Sequence, residues 1–506
     1  MSVSNAVGQN RVASTVGIQL AAGNFQTASP NLTPIIGIFG EANTANQSGL
    51  PTVPTQITSA AQAATLFGSG SPIHAVSRIL FPLQGGGTNA PVWVYPQAVA
   101  SGATARVQTI TVTGPATAAG THYVNIAGRE NIDGIFYAVN ITSAMTATQV
   151  ATAIAAAINA VTASPVSATS SAAVVTVTTK WAGLSSETVG IFMDTLTAPA
   201  IGVTYVVAET IAGSATPLVT PMLNQLGSQW TNMIVNCYGT VTATMTEFEI
   251  FNGVPGLTGS TGRYLPTTFK PFVAITGSVA DDPTSITSAR NTQCTIAIAP
   301  APQSPGMHYE AAANMALAWS NVAASTPNLG VLNLYYADMP VPATGIVPSM
   351  QDYNFRDNAV KNGCSTAVIS NGVYKIKDFV TTYSDGTLTP QYRYPRDLNV
   401  DWNVEYGLRI IEENNVIGFT IANDNDTVNA TNVIKPKQLK ALLSDYADSL
   451  VLRGLLVDAA FFKNSLVVVI NGSNSNRIDT TFNYKRSGIA GIMSTTMFAG
   501  FNFGTV

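Results

Sequence analysis

The chain has 506 residues, of which 46% are hydrophobic and only 10% charged, with a formal net charge of −4 at neutral pH. Soluble domains carry about 25% charged residues, so a chain this poor in charge is expected to bury part of its surface in an assembly. The weak negative balance speaks against nucleic acid or an anionic membrane surface as partner, and no apolar run reaches the length of a membrane span, so no direct membrane insertion is expected.

The three cysteines, Cys237, Cys294 and Cys364, lie far apart and make neither a disulfide framework nor a metal-ligand spacing, which fits a reducing compartment. The opening "MSVSNAVGQNRVASTVG" has no basic stretch before an apolar core, so a secretory signal is not expected. Charge is unevenly placed. Of the 23 basic and 27 acidic residues, 15 and 16 fall within 331–506. Dense charge of both signs suits polar contacts with repeating partners, and it equally suits a better-solvated domain.

In chain order, the first thirty residues are polar apart from one strand pattern at 14–20. A buried strand is predicted at 35–39, then two helices. The first ends at Gly68; the second has Ser71 as N-cap and Pro72 in its first turn. A strand at 92–95 follows the loop "GGGTNAP". The pattern resumes at 218–226 (helix), 233–237 (strand), 244–252 (helix), 272–275 and 294–299 (strands). A long helix then starts near Ser304 and Pro305, with His308, Ala312, Met315 and Trp319 on one face. Strands of low polarity alternating with helices predict a layered α/β domain covered on both faces.

Residues 101–213 interrupt this pattern. They are rich in Thr and Ala, with five alternating strand patterns and one helix, where Thr146 and Gln149 form a capping box and Val150, Ile154, Ile158 and Val161 line one side. An inserted strand-rich domain is the economical reading, and it is expected to be dispensable to the rest. The fold class is therefore α/β (α+β) and multidomain: a middle α/β domain in two parts (31–100 and 214–330), the insert (101–213), and a C-terminal α+β domain (331–486) between terminal segments 1–30 and 487–506. Within 331–486 a strand pair is expected around an Asp385–Gly386 turn. A helix follows at 401–414, then a long amphipathic helix with Leu439, Leu442, Leu443, Tyr446 and Leu450 on one face. A hairpin closes the region: a strand at 465–470, the turn "NGSNSN", and a strand at 477–485. Val467, Val469, Ile478, Phe482 and Tyr484 fit its period-two rhythm. Residues 487–506 carry no charge and three Phe.

No catalytic constellation survives inspection. "FGSGSPIH" does not satisfy Gly-x-Ser-x-Gly around Ser71 and joins two helices, whereas a nucleophile elbow follows a strand. "QGGGTN" precedes a strand, so it is no phosphate loop. His74, His122 and His308 lie in different segments and read as packed or surface imidazoles. "NDND" at 423–426 starts like a calcium loop but lacks its central Gly and terminal Glu. No cofactor or metal is implied, and the chain reads as no enzyme. Lys435, Lys437 and Lys440 cluster at the start of the long amphipathic helix, where the helix dipole disfavours unpaired cations; a partner-facing role stands beside the reading of a solvated face.

"SPNLTPIIGIFGEAN", "AATLFGSGSPIHAVSRILF", "VWVYP", "VYKIKDFVTTYSDG" and "NSLVVVINGSNSNRIDTTFNYKRSG" together resemble, in order and spacing, the contractile tail sheath proteins of myophages, the Mu-like branch with an inserted domain above all. The resemblance spans most of the chain outside 101–213. It implies a homo-oligomeric helical sheath of stacked rings around a tail tube protein. Such a sheath is assembled in the host cytoplasm between baseplate and tail terminator, is carried in the virion, and contracts to drive the tube through the host envelope. It further implies an outward insert, a C-terminal domain facing the tube (Lys435, Lys437 and Lys440 are the candidates), and terminal linking arms at 1–30 and 487–506. Strand donation between neighbours then assigns linking roles to Ser14, Val16, Ile18 and Leu20, to Val467, Val469, Ile478, Phe482 and Tyr484 of the hairpin, and to Ile492, Phe498 and Phe501. A head-to-tail contact that does not close builds a helix, and contraction needs no cofactor if the extended lattice is a trapped packing. The residues alone leave two other classes open: a tube, shell or other virion subunit, and an enzyme with a strand-rich accessory domain.

Overall fold

A computed structural model of the chain describes residues 30–194, 200–256, 259–428 and 430–497. It divides into two compact units, 31–406 with the segment from Arg486 onward, and 407–485.

In the larger unit the sequence chemistry acts as expected at the start. Strand β1 (Ile36–Glu41) is followed by the short β2 (Thr55–Ile57). Helix α1 (Ala60–Phe67) is capped by the Ser59 side chain, which accepts from the Gln62 N–H, and ends at Gly68 with φ of 92°. Helix α2 (Pro72–Leu80) is capped by Ser71, which accepts from the His74 N–H, and leads to β3 (Val92–Gln97).

The insert follows: β4 (Val107–Thr113), β5 (Gly120–Ile126), the short β6 (Asn131–Ile132) and β7 (Ile135–Phe136), β8 (Ala138–Ile141), α3 (Ala147–Ala160), β9 (Val166–Ser171), β10 (Val174–Thr179), β11 (Ile191–Asp194) and β12 (Thr204–Ile211). The Thr146/Gln149 capping box is formed as read, and Val150, Ile154, Ile158 and Val161 are buried. Strands β9 and β11 escape the sequence pattern; β9 is "VSATSS", too polar to announce itself. The strands form a four-stranded sheet ordered β12-β4-β10-β9 and a three-stranded one ordered β11-β5-β8.

The α/β pattern then returns: α4 (Thr220–Leu223), shorter than the expected helix because the chain tightens into a 3-10 turn at Asn224–Leu226; β13 (Met233–Asn236); α5 (Thr242–Asn252); β14 (Val273–Ser278); α6 (Thr284–Ser288); β15 (Ile296–Pro300); and α7 (His308–Ser325). Helix α7 starts later than expected. Met307 is its N-cap, with Glu310 accepting from the Met307 N–H, while Ser304 instead donates to the Pro340 carbonyl.

The six-stranded sheet is ordered β15-β14-β13-β1-β3-β2, all parallel except the edge strand β2. Alternation along β1 sends Ile36 and Ile38 into the core that holds Val76, Ala312, Met315 and Trp319, and sends Phe39 to the opposite face. There Phe39 stacks on Tyr95 at 4.7 Å and meets Phe248 edge-on at 5.4 Å. Each such side chain, fully buried, stabilises by about 1.5–3 kcal/mol. The sheet and α7 touch at Gly277, where a Cβ would lie 1.7 Å from the His308 carbonyl oxygen. Only glycine permits that approach.

Beyond α8 (Tyr353–Lys361) the expected strand pair around Asp385–Gly386 is corrected. The hairpin is β16 (Thr366–Ser370) with β17 (Val373–Asp378), turning at Asn371 and Gly372 with φ of 54° and 76°. A tight hairpin turn needs positive φ at both central residues, and Asn-Gly supplies it. Asp385 instead accepts from the Thr387 N–H and hydroxyl in a local turn. The helix expected at 401–414 begins earlier, as α9 (Pro395–Asn415), and the division between units falls within it.

The smaller unit holds the parallel bridge of β18 (Thr420–Ile421) with β19 (Val433–Ile434), then α10 (Pro436–Leu452), β20 (Leu456–Val457), α11 (Ala459–Ser465), β21 (Val467–Ile470) and β22 (Ile478–Thr481). Leu439, Leu443, Tyr446 and Leu450 of α10 are buried, and Leu442 is half-buried. The closing hairpin exists with shorter strands than read. Ser465 ends α11, and the second strand stops at Thr481 before the separate two-residue β23 (Lys485–Arg486). No helix among the described residues is long and apolar enough to cross a membrane.

Candidate assembly interface

The carboxyl edge of a parallel sheet, where strand order reverses, is the usual ligand crevice of doubly wound folds. Here that point lies between β1 and β13, and side chains of the insert fill it. Trp181 Nε1 donates to Ser185 Oγ at 2.9 Å, and Ser185 Oγ donates to Glu41 Oε2 at 2.5 Å. Glu41 is 1% exposed, and burial pushes its carboxyl up to about 8, against which the Ser185 hydrogen bond works. Its other oxygen has no partner among the described residues, as a protonated carboxyl tolerates better than an ion. Beside it His308 Nε2 lies 3.0 Å from the Cys237 carbonyl, and burial holds this imidazole down at about 4. Burial also raises the Cys237 thiol well above its ordinary range, so it is no nucleophile at neutral pH. The group is a packed polar seam.

The same seam continues in ion pairs. Arg129 of the insert reaches Asp338 at 2.5 Å and Glu310, itself 1% exposed, at 3.2 Å. Arg78 of α2 pairs with Asp133 at 2.7 Å. The insert is thus held by buried side chains as well as by its two ends. A cleft of about 350 Å³ beside it is lined by Arg106, Gln108, Phe192 and Ser304, among others. Arg106 is already committed there to Glu209 and to the carbonyls of Glu187 and Val189. The other histidines are likewise engaged: His74 Nδ1 accepts from the Gly70 N–H, and His122 Nδ1 is 2.6 Å from the Tyr205 hydroxyl.

What the structure leaves open is sheet edge and apolar surface. In the smaller unit, β21 and β22 pair antiparallel, Val467 opposite Thr481, Val469 opposite Asp479 and Ile470 opposite Ile478, and no third strand joins them among the described residues. Val467 and Val469 share the more open face, 52% and 48% exposed. Phe482 lies past the strand and stacks on Phe462 at 4.4 Å, with Tyr484 6.3 Å from it. Two strands alone are marginal in water, so this hairpin leans on α10, against which β21 packs.

At the start of α10 the lysines are better placed than their sequence suggests. Lys437 Nζ donates to the Asp424 carbonyl at 2.6 Å and its N–H to the Asp424 carboxylate at 2.8 Å; Lys435 Nζ donates to the Asp426 carbonyl. The Asn423–Asp426 turn therefore serves the helix N-terminus, where a carboxylate is favoured. The Lys440 ammonium makes no bond among the described residues and is exposed.

In the larger unit, the segment after Arg486 turns from held to bare within a few residues. Ile489 is 40% exposed, and Ile492, Met493 and Met497 are 86–89% exposed. Ser14, Val16, Ile18 and Leu20 lie outside the described residues, as do Phe498 and Phe501. The burial of Glu41 and the Arg129 pairs carry no sequence signal.

No family model matches the chain, and no curated protein matches it. Among solved structures it is similar to a tail sheath protein from Desulfitobacterium hafniense (12% identity, 93% of this chain and 100% of that one, TM-score 0.44). It is also similar to the sheath of an extracellular contractile injection system, PVC, in its contracted state (10% identity, 97% and 99%, TM-score 0.47). A third is the contracted helical sheath of the anti-feeding prophage (11% identity, 97% and 100%, TM-score 0.42).

Proposed function

We propose that this chain is a structural subunit of a contractile tail sheath: it polymerises through exchanged strands into a helical cylinder around a tail tube, and the cylinder contracts to drive the tube through a cell envelope. The observation that carries the reading is a pair of complementary features in one chain. One is a two-stranded hairpin with no third strand among the described residues; the other is an uncharged segment whose Ile492, Met493 and Met497 are almost fully exposed. An open sheet edge invites another strand, and an apolar segment is a poor solvated surface. Both are relieved when the segment of one copy adds to the hairpin of the next through backbone hydrogen bonds. The sequence resemblance to myophage sheaths, Mu-like ones in particular, supports the same reading.

On this reading residues 1–30, with Ser14, Val16, Ile18 and Leu20, supply the other linking strand, and Phe498 and Phe501 extend the C-terminal one. Lys435, Lys437 and Lys440 face the tube protein, the insert points outward, and baseplate and tail terminator hold the two ends of the cylinder in the virion. No cofactor, nucleic acid or membrane insertion enters, and no catalysis; assembly takes place in the host cytoplasm. The test is direct. Concentrated full-length protein imaged by negative stain is expected to show tubes or stacked rings, and protein lacking residues 488–506, or the first twenty, to remain folded and unassembled. Tubes of normal length from either truncation would show that the links lie elsewhere and overturn the strand-exchange reading.

A further inference from the structure

Arg396 lies near the start of α9 and is 5% exposed, yet it faces a segment 91 positions away. Its Nε donates to the Asn328 carbonyl at 2.8 Å and its Nη1 to Asp397 at 2.7 Å. The remaining bonds go to one residue: Nη1 to the Ser487 carbonyl, and Nη2 to the Ser487 hydroxyl at 2.6 Å. One residue earlier, Arg486 forms a two-point pair with Asp401, Nε to Oδ1 and Nη2 to Oδ2, each at 2.7 Å, and its Nη1 donates to the Gln391 carbonyl at 2.7 Å. Both members of that pair are 19% exposed. Beyond it Ile489 packs on Gly330, where a Cβ would lie 3.2 Å from the Ile489 side chain. Three residues later the segment is bare.

We infer that Arg396, Arg486 and Asp401 are positioning residues for assembly: they anchor the exit of the C-terminal arm to the 31–406 unit, so that a neighbouring copy capturing the arm is linked to that unit. This rests on the strand-exchange reading. Its physical basis is the contrast between the two halves of the segment. A tether needed only to finish the fold would have no reason to change from two forked guanidinium contacts to almost complete exposure within six residues. A strand meant for another copy requires such a boundary: firm on one side so that capture transmits force, bare on the other so that backbone groups are available. The forked geometry matters because lysine, a point charge, cannot hold two acceptors in one plane.

Three full-length proteins test this: wild type, Arg486→Glu, and Arg486→Glu with Asp401→Arg. Nitroxide labels on Ser325→Cys and Ser494→Cys, added to each, report the spread of distances between body and arm in the monomer; the native cysteines are buried. We expect a narrow distribution in wild type, a broad one in Arg486→Glu, and a narrow one again in the charge-swapped pair. Tryptophan emission should be the same in all three. The concentration needed for tubes should rise about tenfold or more in Arg486→Glu, as expected for losing a charge-assisted pair, and return in the swap. If wild-type tubes need residues 488–506 but Arg486→Glu assembles normally, the anchor is refuted while strand exchange stands. If wild type forms no tubes, the assembly reading itself fails, and the label distances then show only a structural tether.

Discussion

Replacing Glu41 by Gln should remove a specific pH dependence from the larger unit. The carboxyl titrates at about 8 in the fold against an ordinary 4.5, because it is buried under Ser185 and Trp181. A raised acid favours the folded state fully below pH 4.5, and that advantage is lost as pH rises towards 8, since the folded form must either keep a proton that the unfolded chain has released or bury an ion. The whole shift corresponds to roughly 5 kcal/mol. Of this, roughly 2–3 kcal/mol should be lost between pH 5 and pH 7 and about 1 kcal/mol more by pH 9. Gln keeps the volume and an acceptor for Ser185 without titrating. His74 and His308, both held down at about 4 by burial, work in the opposite direction: their contribution is present above pH 6.5 and lost as pH falls through 4. They are common to both proteins and cancel in the difference. All five tryptophans lie within 31–406, so intrinsic emission in urea follows this unit alone. The two proteins should be nearly equal at pH 5, with the Gln variant more stable by roughly 2–3 kcal/mol at pH 7. Parallel curves from pH 5 to 9 would refute the reasoning, since the buried carboxyl could not then be the titrating group.

Other perturbations reach different parts of the structure. Arg129→Met leaves the buried Glu310 carboxylate with its main partner gone and should cost about 3–5 kcal/mol in the same urea assay, most of it recovered when Glu310→Met is added. Gly277→Ala places a methyl against the His308 carbonyl, so β14 and α7 must part; a loss of about 3 kcal/mol or more, read as a lowered thermal midpoint, is expected. Lys440→Glu should reduce co-sedimentation with tail tube and leave the monomer's circular dichroism unchanged. It is a cleaner probe than reversing all three lysines, because Lys435 and Lys437 also hold the Asn423–Asp426 turn. Unchanged co-sedimentation would remove the tube-facing assignment from this helix face.

Much of the local structure was legible in the residues. Ser71 and Pro72 open α2, the Thr146/Gln149 box opens α3, and the alternation of apolar strands with helices yields a sheet covered on both faces. These signals act over a few residues, through one side chain bonding a backbone group within reach or through a period that matches strand or helix. Where two local signals compete, neighbours decide. Asp385–Gly386 is the turn that the sequence announces, but the hairpin forms at Asn371–Gly372, where the flanking strands carry Ala367, Tyr374 and Ile376 into a core.

The bonds that define the seam and the arm belong to the tertiary structure alone. Ser185 reaches Glu41 across 144 positions, Arg129 reaches Glu310 across 181, and Arg396 reaches Ser487 across 91. No periodicity encodes such pairs. A carboxyl, a hydroxyl and a guanidinium look alike in a sequence whether they face water or one another, and only the path of the backbone brings them within hydrogen-bond distance and removes the water that would otherwise compete.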